Sequence, residues 1–239
     1  MASVKQKFYE TTYKKERSNL KPKGFLGRLY ILFKQYEIYR SDVVHELLTP
    51  SRRFLDIGCG NGELVIKCLD KFEFVYGLDI ARTRLEIAQK KIITLSNDFK
   101  KRIKFQFLNA DTKYPFPTNY FNAITMVATL EHFFDPYQVM SEVARIIKPG
   151  GQLIIQVPNL GFLPRRIAVL FGKLPVTSED EYGWDGGHLH YFTIKTLVHL
   201  AEKYHFKVEK VTCSGVLAPL RRWWLTLLGS DIIISAYKD

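Results

Sequence analysis

A carboxylate, three glycines and a second carboxylate roughly twenty residues on form the part of this sequence best suited to chemistry. Asp56 precedes Gly58, Gly60 and Gly62 in Phe54-Leu-Asp-Ile-Gly-Cys-Gly-Asn-Gly62, and Asp79 closes Phe74-Val-Tyr-Gly-Leu-Asp79. Glycines at a strand end let backbone approach a ligand closely. Amides opening the next helix favour an anionic group, and an acidic residue at the next strand tip suits ribose hydroxyls. The pattern D-x-G-x-G-x-G departs from the G-x-G-x-x-G of dinucleotide sites, which argues against a nicotinamide cofactor. A third carboxylate, Asp111, follows Phe107-Leu-Asn-Ala110. Much further along, His188 and His190 stand in Gly186-Gly-His-Leu-His-Tyr-Phe-Thr193. If that run is extended, the two imidazoles point the same way, and histidine is the residue type whose unperturbed pKa lies near neutrality. Either could act as a general base, or hold a loop shut by a hydrogen bond.

These residues need strand tips to stand on, and the sequence supplies them. Apolar runs predict strands at Phe54–Ile57, Phe74–Asp79, Ile103–Leu108, Asn122–Val127, Gln152–Val157, Phe206–Val211 and Ile232–Tyr237. Helical periodicity fills the gaps: Val65, Cys68 and Leu69, then Leu85, Ala88 and Ile92. The clearest helix opens on Asp135-Pro136, carries Val139, Met140, Val143, Ile146 and Ile147 on one face, and stops at Lys148-Pro-Gly-Gly151. Another spans Thr193 to Tyr204. Alternating strands and helices imply an α/β fold: a doubly wound, seven-stranded, mostly parallel sheet with helices on both faces. Two regions fall outside the alternation. Residues 1–50 read as a basic, aromatic cap ending in a helix from Tyr30 to Leu48, and residues 159–190 as a lid inserted into the domain of residues 51–239.

From Phe54 to Val157 the chain resembles the class I S-adenosylmethionine-dependent methyltransferases, small-molecule type. The glycine turn, Asp79, Asp111, Ala128-Thr-Leu-Glu-His132 and the helix ending Ile146-Ile-Lys-Pro-Gly-Gly151 carry the resemblance. It implies a site for S-adenosylmethionine and its product S-adenosylhomocysteine. Gly58 and Gly60 would line the turn, and Asp56 would stay acidic and orient the ammonium group or hold a bridging water. Asp79 would accept both ribose hydroxyls, Ile80 would pack on the adenine and Asp111 would take its amino group. Ala110, Thr112 and Ala128 would complete the pocket.

The same resemblance implies attack by an oxygen, nitrogen or carbon nucleophile on the sulfonium methyl, with His188 or His190 as base. Some relatives bind a divalent ion through two glutamates and a histidine near Glu131-His132. Ala128 stands where the first glutamate would, so no metal is expected, and Glu131 and His132 are read as pocket-wall or structural residues. Tyr9 and Tyr13 could cover the sulfonium with their ring faces or simply pack. No Asn-Pro-Pro-aromatic, Pro-Cys or paired-glutamate signature appears, which disfavours amino-methylation of DNA or glutamine, cytosine C5 methylation and arginine methylation. His205 stands where relatives of this type usually carry glycine. The expected function is O-methylation of a small molecule, such as a sugar or a lipid- or nucleotide-linked metabolite. A quinone-type or RNA acceptor, or a non-catalytic S-adenosylmethionine-binding regulatory module, is the alternative.

The bulk composition sets the remaining bounds. Hydrophobic content of 46% and charged content of 25% over 239 residues are those of an ordinary soluble globular protein. No apolar run approaches a membrane span, and the polar start lacks a signal-peptide core, so a cytoplasmic location is expected. Three cysteines without C-x-x-C spacing fit reduced thiols and no zinc site. The net charge is +11, and the first 53 positions hold 12 Lys and Arg against 5 acidic residues. That surface suits anionic partners (an anionic membrane, a lipid-linked substrate or, less well, nucleic acid), or is a solvated, positively charged face with no partner. Gly161-Phe-Leu-Pro-Arg-Arg-Ile-Ala-Val-Leu-Phe171 and Leu217-Ala-Pro-Leu-Arg-Arg-Trp-Trp-Leu225 mix arginine pairs with large hydrophobes, as interfacial segments or packed lid helices do. Nothing in the text fixes the oligomeric state.

Overall fold

A computed structural model describes residue 6 and residues 33–109, 111–177 and 187–239. In chain order its elements are β1 (Glu37–Ile38), α1 (Arg40–Leu47), β2 (Ser51–Ile57), α2 (Glu63–Lys67), β3 (Phe72–Asp79), α3 (Arg82–Ile93), α4 (Asn97–Arg102), β4 (Ile103–Phe107) and β5 (Phe121–Val127). They continue with α5 (Pro136–Ile146), β6 (Ile147–Pro158), α6 (Leu163–Leu170), α7 (Ile194–Lys203), β7 (Phe206–Thr212), β8 (Gly215–Val216), α8 (Ala218–Arg221), α9 (Leu225–Leu228) and β9 (Asp231–Lys238). Seven strands form one sheet in the order β4-β3-β2-β5-β6-β9-β7. The first five are parallel, while β9 runs antiparallel between β6 and β7.

The doubly wound arrangement follows from the strand sequences. In β2, Phe54, Leu55 and Ile57 are all fully buried, because neighbouring side chains point to opposite faces and both faces are covered. Leu55 and Ile57 join a core with Val139, Met140 and Val143 of α5 and Leu197 and Ala201 of α7. Phe54 joins the other core, with Val43 and Val44 of α1, Leu64 and Val65 of α2 and Leu85 of α3. Helix α5 starts as its sequence dictates: the Asp135 carboxylate accepts from the backbone N–H groups of Tyr137 (2.9 Å) and Gln138 (3.1 Å), and proline occupies the first turn. A Thr193–Thr196 capping box opens α7 in the same way.

Chain direction reverses around β2. The path runs outward through β3 and β4, then returns to place β5 on the other side of β2. The crevice beyond the carboxyl ends of β2 and β5 is therefore the topological switch point, where such sheets bind ligands.

The expected helix from Tyr30 to Leu48 is not formed over residues 37–38. Glu37 and Ile38 are instead a short strand paired antiparallel with Val216 and Gly215, and the helix is confined to α1. Pairing with a distant segment outweighs helix propensity there, a tertiary effect that local periodicity does not carry. Tyr30 itself lies outside the described residues.

The turn after α7 holds despite the missing glycine. His205 adopts φ +62°, the left-handed conformation, and its N–H still donates to the Glu202 carbonyl at 3.0 Å. A side chain there costs about 1 kcal/mol, so His205→Gly is expected to raise stability by about 0.5–1 kcal/mol once the freer unfolded chain is set against it. Urea denaturation of the two proteins measures this.

Candidate active site

The glycine turn leaves β2 with Gly58 at φ +78° and Gly60 at φ +52°. At Gly58 the left-handed turn is closed in by β5: a Cβ there would lie 2.3 Å from Thr129 Oγ1. The turn is thus pressed against the residues following β5. Gly60 is the opposite case, since a Cβ on it would meet nothing within 4 Å among the described residues. Its bare backbone borders open space, which a ligand could fill. Beside it, Asn61 Oδ1 is a buried acceptor with no hydrogen-bond partner among the described residues, and buried acceptors are rarely left so without a ligand or water.

Asp79, at the tip of β3, holds the turn in shape. Its Oδ2 accepts from the Gly60 N–H and its Oδ1 from the Ala81 N–H, each at 2.8 Å. Each carboxylate oxygen retains a second lone pair for a ribose hydroxyl. Burial pushes the Asp79 carboxyl up, and the two backbone hydrogen bonds oppose that shift. Ile80, the next residue, is only partly covered.

Asp56 departs from its expectation of staying acidic. Burial in the sheet raises its pKa to about 7, against a lowering by the Thr125 hydrogen bond and with a further push from Asp79. Thr125 Oγ1 donates to Asp56 Oδ1 at 2.7 Å, across the β2–β5 pair. Two carboxyls crowded in one dry cradle favour a positively charged ligand over a phosphate. A ligand bearing an ammonium or sulfonium charge prefers Asp56 ionised. Its affinity should therefore rise as pH climbs through the Asp56 pKa, by about tenfold between roughly pH 6 and pH 8. Titration of S-adenosylhomocysteine across that range checks this, and Asp56→Asn should flatten the profile. The same raised pKa means that ionising Asp56 opposes folding, so in the free protein its contribution to stability falls as pH rises from about 4 towards 7.

Asp111 Oδ1 accepts the Phe134 N–H at 2.8 Å, tying the loop after β4 to the loop after β5. Thr112 is exposed, with its hydroxyl donating to the Asn109 carbonyl at 2.6 Å. Ala128 follows β5 in the left-handed conformation, φ +51°, and donates its N–H to the Gln156 carbonyl at 2.9 Å. A non-glycine residue held there stores of order 1 kcal/mol of strain, as functional strand tips often do. Ala110, Tyr9 and Tyr13 lie outside the described residues.

The histidine run docks onto the 3-10 turn Leu130–His132. The Glu131 carbonyl accepts the backbone N–H groups of Leu189 (2.8 Å) and His190 (3.1 Å). His132 Nδ1 lies 3.2 Å from the Gly187 carbonyl, and the rings of His132 and His188 meet edge to face at 4.5 Å. His188 Nδ1 is 2.6 Å from Thr177 Oγ1, and its Nε2 is 3.9 Å from the buried Glu131 Oε1. His190 Nε2 faces the Phe134 carbonyl at 3.4 Å. Both imidazoles therefore meet the same 130–134 segment, although residues 188–190 are not a strand.

One ligand atom each from Glu131, His132 and His188 fall within 4.8 Å of one another, a spacing a divalent cation could also close. The spacing Glu131-His132 was visible in the sequence, whereas the arrival of His188 beside it was not. The insert between β6 and α7 is closed at its base by an isolated bridge between Asn159 and Phe192 and by the Leu160 N–H bonded to the Phe192 carbonyl at 2.8 Å.

A glycine turn braced by a strand-tip carboxylate at the switch point of this sheet defines a class I, Rossmann-like S-adenosylmethionine site. The chain belongs to the methyltransferase-domain family, whose model matches residues 32–211. It is 32% identical over 168 residues to a demethylmenaquinone methyltransferase of Bacillus licheniformis, covering 64% of this chain and 70% of that one. In fold it is similar to a Thermotoga maritima S-adenosylmethionine-dependent methyltransferase described as a possible histamine N-methyltransferase (TM-score 0.62, 17% identity, 98% of this chain and 100% of that one). It is also similar to a Methanosarcina mazei S-adenosylmethionine-dependent methyltransferase (TM-score 0.61, 23% identity, 84% and 98%). The protein is an S-adenosylmethionine-dependent methyltransferase, and the open backbone at Gly60 with the Asp56–Asp79 pair fits that cofactor.

Proposed function

We propose that the enzyme methylates a hydroxyl of a small molecule, a sugar or a lipid- or nucleotide-linked metabolite, with His190 accepting the proton. The observation that carries this reading is the docking of residues 187–190 on the segment that follows β5, next to the glycine turn. S-adenosylmethionine supplies the electrophilic methyl group. What remains for the chain is to hold a nucleophile in line with that methyl and to take a proton from it.

The two histidines divide this work. His190 is partly exposed, its contact with the Phe134 carbonyl is long, and its Nδ1 has no hydrogen-bond partner among the described residues. It can meet a substrate hydroxyl. The His188 side chain is only 6% exposed and is held between Thr177 and Glu131. It is a positioning residue that ties Thr177 to the Leu130–His132 turn.

A quinone-type acceptor is the second reading, favoured by the name of the Bacillus licheniformis relative. Incubation with S-adenosylmethionine labelled in its methyl group separates the two. Label in a base-stable ether methyl of a nucleotide- or lipid-linked sugar supports the first reading. Label in demethylmenaquinone alone would overturn it in favour of the second.

A further inference from the structure

Two stretches bring large apolar side chains to the surface with cations among them and no anions. From Asn159 to Thr177 and from Thr212 to Ser230 the basic residues are Arg165, Arg166, Lys173, Arg221 and Arg222, and neither stretch contains Asp or Glu. Helix α6 buries none of its residues. Leu170 is 79% exposed and Phe171 74%, while on the other stretch Leu220 is 68% exposed and Trp223 94%. An isolated exposed leucine needs no explanation, but a concentration of this kind marks an interaction site.

The two stretches lie side by side, joined where the first begins and the second ends. Asn159 donates to the Gly229 carbonyl at 2.8 Å, and Arg165 Nη1 donates to the Ser230 carbonyl at 2.7 Å. The Arg165 and Arg221 guanidiniums lie 5.6 Å and 5.8 Å from the Phe162 ring centroid. Arg166 and Arg221 donate to the Gly161 carbonyl and the Ser230 hydroxyl, and among the described residues no carboxylate pairs with either.

We propose that this face docks the enzyme on an anionic lipid bilayer. Trp223, Leu220, Leu170 and Phe171 would enter the interface, where tryptophan and aliphatic side chains gain from leaving water. Arg166, Arg221, Arg222 and Lys173 would stay at headgroup level, each adding about 1 kcal/mol near an anionic surface. Among the described residues no helix is long and apolar enough to cross a membrane, so the contact is peripheral. Charge selects this occupant over a second copy of the chain, which would set these cations against their own images. The face adjoins the acceptor side of the site, because Asn159 is bridged to Phe192, two residues beyond His190. The inference does not depend on which acceptor is methylated.

Vesicle co-sedimentation, read without any activity assay, tests it. The full-length protein should pellet with mixed phosphatidylcholine–phosphatidylglycerol vesicles and not with pure phosphatidylcholine, and raising the salt should release it. Leu220→Ser/Trp223→Ser and, independently, Leu170→Ser/Phe171→Ser should each lower partitioning at least tenfold with unchanged circular dichroism. These side chains are exposed, so the variants should fold. Absence of binding, equal binding to neutral vesicles, or full binding by both variants would overturn the proposal. So would a dimer in light scattering, or an RNA mobility shift, that the same variants abolish while lipid binding survives.

Discussion

Asp79→Ala is expected to weaken S-adenosylhomocysteine binding by about 10²–10³-fold. The carboxylate does two jobs at once. It fixes the turn by accepting the N–H groups of Gly60 and Ala81, and we propose that its remaining lone pairs accept the ribose hydroxyls. Removing it strands two partly buried donors at about 1–3 kcal/mol each and deletes the charge-assisted bonds to the ligand. Some of that loss is recovered, since the free protein no longer holds a desolvated carboxyl whose pKa is raised. The net of roughly 3–4 kcal/mol corresponds to the stated range. Asp79→Asn keeps an acceptor but not the charge and should lose only about tenfold. Calorimetric titration measures both, and wild-type affinity in Asp79→Ala would remove the ribose from this position.

The second large effect is on turnover. His190→Ala is expected to lower kcat by about 10²–10³-fold while leaving S-adenosylhomocysteine affinity unchanged, the signature of a lost general base. His188→Ala should act differently. It breaks the link to Thr177 and the packing on His132, so the acceptor KM should rise more than kcat falls. A metal at Glu131, His132 and His188 would reverse this order. The wild-type rate should survive dialysis against a chelator; a rate lost to the chelator and restored by a divalent ion would assign the trio to metal binding instead.

Much of the fold was legible because each strand carries its own signal. All seven sheet strands were marked by apolar runs, and α5 and α7 by caps and period. The strand-tip carboxylates were legible for a related reason: position along a strand fixes which residue stands at its end. What the sequence left out depends on register between distant strands. The Asp56–Thr125 hydrogen bond exists because β2 and β5 pair with those residues opposite one another. The same pairing presses Thr129 on Gly58 and strips water from Asp56, which is why its expected acidity failed. The β1–β8 pairing that ends the N-terminal helix is likewise long-range. His188 was identified as a candidate for chemistry, but its engagement with Thr177 and Glu131 belongs to how the insert folds back, which no local spacing encodes.

The central claim is that the cradle between β2 and β5 holds an adenosyl ligand with a cationic amino-acid end. Isothermal titration of the purified protein with S-adenosylhomocysteine at about pH 8, where Asp56 is ionised, tests it most directly. One ligand per chain, with no heat from NAD, is the predicted result. No heat from either S-adenosylhomocysteine or S-adenosylmethionine, with a dinucleotide binding in their place, would contradict it.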